Sequence, residues 1–239
     1  DSSTSRGLGD VYKRQAYNAF KDEGNEVSGT LYGSDEIIKK TFFGEINLWL
    51  QNGASWTNEA WGEPPDAYYG EDFSESHLKR LVGGESADKA GHIFQKPGED
   101  EDSEGINIRV DDYKGFTNVY YGHKDEKPTD ILGGTFTVTK AQPGSGITLI
   151  TDSKGLNVDS SKAADKNLAS ATLNALANKL FYTAYKNGET NLAGKVEIAE
   201  GLTSSSLSKR MEDITFKESN GQGQYLYTPA SDIPEEQTE

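Results

Sequence analysis

Two seventeen-residue segments, sixty residues apart, share one pattern, and that pattern constrains the fold more than any other feature of the chain. "INLWLQNGASWTNEAWG" (Ile46 to Gly62) aligns without a gap on "INIRVDDYKGFTNVYYG" (Ile106 to Gly122). Ile46, Asn47, Thr57, Asn58 and Gly62 recur as Ile106, Asn107, Thr117, Asn118 and Gly122. In the first copy Ile46, Leu48 and Leu50 alternate with Asn47 and Trp49; in the second, Ile106, Ile108 and Val110 alternate with Asn107 and Arg109. A period of two puts one face of a strand inward and the other outward. A turn then follows, through Asn52-Gly53 in one copy and Asp111-Asp112 in the other. A second strand carries an aromatic, over Ser55 to Asn58 and over Gly115 to Tyr121. The alignment pairs Trp56 with Phe116 as inward scaffold, and Trp49 with Arg109 as outward positions.

The same grammar continues. "LVGG" at Leu81 to Gly84 echoes "ILGG" at Ile131 to Gly134. Further strands are expected at Gly134 to Lys140, Gly146 to Asp152, Gly194 to Gly201, Asp213 to Glu218 and Gly223 to Thr228. Hydrophobic residues make up 33% of the chain, against about 45–50% in ordinary globular domains, and 26 residues are Gly. Short strands with Gly, Asn and Asp turns suit an all-β solenoid, sandwich or barrel. The long-period repetition and low hydrophobicity favour the solenoid. One segment departs from period two: Ala169, Leu173, Leu176, Ala177, Leu180, Phe181 and Ala184 form a helical stripe. A helix over about 165–187 is expected, with Asp165 as N-cap and Gly188 past its end, packed on one face of the solenoid. "EPPDAYYGEDFSESHLKR" and "QKPGEDEDSEG" read as surface loops, and residues 229–239 as a polar tail or linker.

Charge and composition exclude several function classes. A formal charge of −15 opposes nucleic acid and anionic membrane surfaces, which need Lys/Arg patches. The chain has no cysteine, which removes disulfides, thiolate nucleophiles and Cys-bound metals. No apolar run is long enough for a transmembrane helix. "LGDVYKRQ" resembles a translated sequencing adaptor, so residues 1–15 are set apart from a solenoid segment at 16–228.

No motif for chemistry stands out, so no catalytic residue, metal or cofactor is assigned. His77, His92 and His123 form no ligand spacing and are expected in exposed loops. The Asp111-Asp112 pair is the best carboxylate pair, but as turn acids they suit solvent. The Glu99 to Glu104 run lacks calcium-loop spacing and reads as solvated. Outward aromatics remain, and these can stack on sugars or anchor a partner. The candidate ligand-contacting residues are Trp49, Trp61, Tyr68, Tyr69 and Tyr120.

"FFGEINLWLQNGASWTNEAWG", "ILGGTFTVTKAQPGSGITLITD" and "LNALANKLFYTAYKNGETNLAGKVEIAEGLTSSS" together resemble the passenger region of bacterial autotransporter adhesins (type V secretion). The resemblance covers most of the chain after Gln15 and rests on repeat style. It implies a right-handed parallel β-helix at the cell surface, or released outside it, of a Gram-negative bacterium. It also implies an outer-membrane barrel elsewhere in the full-length chain, and a host-surface glycan or protein as partner. No barrel-like tract follows Thr228, so the chain is expected to be a fragment. The expected function is adhesin or stalk without catalysis. The alternatives are a carbohydrate-active β-helix enzyme (polysaccharide lyase or glycoside hydrolase) using paired carboxylates, and a purely structural spacer.

Overall fold

The computed structural model describes residues 43–51, 53–58, 75–97, 105–219 and 222–226. They are mostly β-strand, arranged in parallel sheets with one α-helix. Successive strands alternate between two sheets. Sheet A takes β1 (Phe43–Trp49), β3 (Glu75–Val82), β5 (Asn107–Lys114), β8 (Phe136–Ala141) and β10 (Leu180–Tyr182), in that order and all parallel. Sheet B takes β2 (Ser55–Asn58), β4 (Gly91–Gln95), β6 (Phe116–Lys124), β9 (Ser145–Asp152) and β11 (Leu192–Ala199), also parallel. Each A strand and the B strand after it form one layer, and the layers follow chain order.

Side chains of equal depth stack on one another through the layers. Leu48, Leu81, Tyr113 and Ala141 are in register in sheet A, as are Leu78, Val110, Val138 and Tyr182. Trp56, Ile93, Val119, Leu149 and Val196 are in register in sheet B. Except for the half-buried Trp56, all of these are buried in one core cluster. Burying such a side chain stabilises by roughly 1.5–3 kcal/mol, so each layer depends on its neighbours for its apolar contacts. One end of this core is polar and internally satisfied. Asn58 Nδ2 donates to Gln95 Oε1 at 2.8 Å and to the Ile106 carbonyl at 2.8 Å, and Ser76 Oγ donates to Asn58 Oδ1 at 2.9 Å.

The two kinds of connection differ. Two corners from sheet A to sheet B are tight: only Gly115 separates β5 from β6, and residues 142–144 separate β8 from β9, whereas 83–90 and 183–191 each hold a 3₁₀ turn. Gly115 has φ +85°, and a Cβ there would lie 2.6 Å from the Gly84 carbonyl oxygen, so this corner requires glycine. From sheet B back to sheet A the chain makes longer excursions. One contains β7 (Lys127–Leu132), which pairs antiparallel with the end of β6. Another contains α1 (Ala163–Ala177). At the far end, β12 (Ser208–Asp213) pairs antiparallel with β11. β13 (Thr215–Ser219) and β14 (Gln222–Leu226) form an antiparallel ribbon. Phe216 from that ribbon is buried edge-on against Tyr182, at 5.4 Å between ring centroids, and so covers the last layer.

Several expectations change. The expected strands after Gly134 are all present, as β8, β9, β11, β13 and β14. The two repeat segments are layers one and three, not neighbours, because β3 and β4 stack between them. The segment expected as a loop through Arg80 therefore contributes Glu75–Arg80 to β3. Its period-two signal fails because Lys79 and Arg80 both face out between buried Leu78 and Leu81. Asp111 and Asp112 occupy the equivalent bend in β5 between buried Val110 and Tyr113; they lie in a strand, not a turn. The ungapped alignment is also out of register, since Trp56 stacks toward Val119, not Phe116, and Trp49 stacks toward Lys114, not Arg109. "LVGG" and "ILGG" are not equivalent: one leaves β3 and the other enters β8.

α1 ends at Ala177, ten residues short of the expected 187. Leu180 and Tyr182 are instead the core residues of β10, followed by a 3₁₀ turn that Gly188 closes at φ +82°. The β-forming Leu-Phe-Tyr run completes a layer, and that tertiary gain overrides the helical periodicity. Lys162, not Asp165, holds the N-cap position; Asp165 lies in the first turn, where its charge suits the helix dipole. Ala169, Leu173, Leu176 and Ala177 are buried as the stripe predicts.

Candidate functional site

A groove of about 320 Å³ lies along the A-to-B corners of four successive layers. Trp49 and Gln51 wall it from the first layer, Lys114 from the third and Gln142 from the fourth. Trp49 directly follows the inward Leu48, so period two turns it outward. It is in register with Val82 and, beyond it, Lys114, which puts an indole, an apolar step and an ammonium in one column.

The floor is backbone. Gly83 lies there because β6 passes too close for a side chain, and Gly84 because the 3₁₀ turn Ala87–Lys89 does. A Cβ on Gly83 would be 2.3 Å from the Phe116 carbonyl oxygen, and one on Gly84 1.7 Å from that of Lys89. Gly84 and Phe116 exchange backbone hydrogen bonds of 2.8 and 2.9 Å. The pair is thus required for packing and also leaves the groove open.

Charge is arranged unevenly around it. Arg80 lines the groove while its Nε lies 3.1 Å from Asp112 Oδ2. Farther along the outer face of sheet A, Glu75 pairs with Arg109 at 3.1 Å. Arg109 Nη2 approaches His77 Nδ1 at 3.0 Å, and His77 Nε2 meets Asp111 Oδ1 at 2.8 Å. Asp111 and Asp112 are therefore each engaged by a basic neighbour from β3. Lys114, exposed at the groove, has no ion-pair partner among the described residues.

The remaining expected site residues separate. Tyr120 does face away from the core, but it is only 2% exposed. It stacks on Phe94 at 4.6 Å between ring centroids and bonds His92 Nδ1 through its hydroxyl at 2.9 Å. Burial pushes its phenol pKa up, and it is packing material with no free face for a ligand. Trp61, Tyr68 and Tyr69 lie outside the described residues, as does the acidic run at 99–104.

The three histidines are strand residues, not loop residues. His77 lies in β3, His92 in β4, where burial lowers its pKa, and His123 in β6, where Nε2 approaches Asp152 Oδ1 at 2.8 Å. Among the described residues no group of three His, Asp or Glu converges as a metal site, and no helix is long and apolar enough to cross a membrane. Trp49's outward direction was legible from alternation alone. Its groove partners were not, because they come from other layers, and only the stacking register brings Lys114 and Gln142 to it.

The chain matches no protein-family model, no curated protein and no solved structure.

Proposed function

We propose that this chain is a stretch of right-handed parallel β-solenoid from an autotransporter passenger. It is displayed at the surface of a Gram-negative bacterium or released from it, and it acts as an adhesin through the Trp49 groove without catalysis. The observation that carries the reading is the alternation of strands between two parallel sheets, five layers deep. Every layer then contacts only its neighbours, so such a chain can fold progressively after crossing a membrane. The groove supplies a binding element for that role. An outward indole beside amide side chains and an open floor offers stacking to a sugar ring and hydrogen bonds to its hydroxyls. The engagement of Asp111 and Asp112 with His77 and Arg80 gives these acids a structural role, which favours an adhesin over a carboxylate-dependent glycosidase.

The test is a glycan array probed with the wild-type chain and with Trp49→Ala. The adhesin reading expects binding that the substitution removes. Absence of binding by the wild type would leave the spacer role, and cleavage of an arrayed glycan would restore the enzyme.

A further inference from the structure

Resting on the saccharide reading of the groove, we infer that its ligand is an acidic glycan, with Trp49 stacking on one pyranose and Lys114 pairing with the carboxylate of a uronic-acid residue. Three observations converge on this class. Trp49 and Lys114 occupy one column across the sheet with Val82 between them. Their strands are thus two spacings, or about 10 Å, apart, a reach that suits linked rings better than an isolated small anion. Lys114 projects at the mouth without an ion-pair partner among the described residues, whereas Arg80 is already paired with Asp112. Gln51 and Gln142 bracket the column, and each amide offers both donors and an acceptor to sugar hydroxyls.

The chain carries a formal charge of −15, so a polyanion is repelled from most of it and gains only where a cation is locally available. An ammonium that no carboxylate neutralises among the described residues gives such a place. An acidic peptide also meets the charge requirement, but it lacks the flat C–H face that stacks on an outward, half-buried indole. The floor of Gly83, Gly84 and Gly115 leaves room for a ring at that level.

The experiment is titration calorimetry on the full 239-residue chain with a panel of uronic-acid tetramers, each compared with its carboxyl-reduced neutral counterpart. At least one uronate should bind about tenfold or more tightly than its reduced form, as expected for one charge-assisted contact, and the advantage should shrink with added salt. Lys114→Ala should remove that preference while leaving the weaker neutral binding, Lys114→Arg should keep it, and Trp49→Ala should abolish binding of both forms. Both positions are outside the core, and unchanged circular dichroism confirms folding of the three variants. Equal affinity for acidic and reduced glycans overturns the inference while the saccharide reading survives. No binding to any saccharide overturns both. A preference that persists in Lys114→Ala, or a hexaglutamate peptide that competes as well as the uronate, also overturns it.

Discussion

Leu149 offers the most direct test of the stacked core. It is fully buried and lies in register between Val119 and Val196, from the layers before and after it. Leu149→Ala removes three carbons from a site that packed strands on both sides prevent from collapsing. Substitutions of this kind cost about 2–5 kcal/mol. With strands fixed on either side the upper half of that range is expected, about 3–5 kcal/mol. For a chain of this size 1 kcal/mol shifts Tm by about 2–4 °C, so a fall of roughly 6–20 °C is expected. Its neighbour Thr148 points to the other face, and Thr148→Ala should stay within about 0.5 kcal/mol. Urea unfolding followed by far-ultraviolet circular dichroism measures both variants.

Hydrogen exchange adds a spatial test of the same variant. Amide protection should fall most in β6, β9 and β11 and least in β2 and β4, because coupling passes only between adjacent layers. Equal costs for the two substitutions would refute the face assignment. A uniform loss of protection across both sheets would refute layer-by-layer stability.

Three further outcomes are expected. Phe216→Ala, which uncovers Tyr182 and the last layer, should cost about 3 kcal/mol, with exchange protection lost first in β10 and β11; an unchanged urea midpoint would show that the ribbon is not a cap. Burial raises the pKa of Glu197 above its ordinary 4.5, so the folded state holds its proton to higher pH than the unfolded state, and stability falls as pH rises from 4.5 through the folded pKa. Glu197→Gln should therefore be more stable than wild type at pH 7 and equal to it below pH 4.5 in matched thermal melts; a deficit at pH 7 would reverse the sign. Breaking the exposed Arg80–Asp112 pair with Asp112→Asn should cost less than about 1 kcal/mol in chemical denaturation.

How much of this was legible depended on whether the determining contacts are local. Ile108, Val110, Phe136, Val138, Ile147 and Leu149 announce their strands because period two is written within each segment. β3 was hidden because Lys79 and Arg80 face out together, which breaks the alternation that marks Leu78 and Leu81 as a pair. The repeat was visible but its register was not. Phe116 sits at a tight corner, and an aromatic there imitates the inward slot that Trp56 shares with Ile93 and Val119. The helix was overextended because Leu180 and Tyr182 satisfy a helical stripe and a β-layer equally well, and only the missing fifth strand of sheet A decides between them. Trp49 was legible as an outward residue. Its groove was not, since Lys114 and Gln142 become its neighbours only through stacking.

The unequal corners also bear on how such a chain can vary. Lengthening an excursion beyond Ser153 only enlarges a loop whose ends are already held, and doubling a loop costs about 0.6 kcal/mol in closure entropy. A residue added at Gly115 would instead push the two sheets apart and shift every later contact between them. Insertions should therefore accumulate along the excursion side, while the side bearing Trp49 and Lys114 keeps its spacing. A lineage can diversify one flank and still carry the same groove on the other.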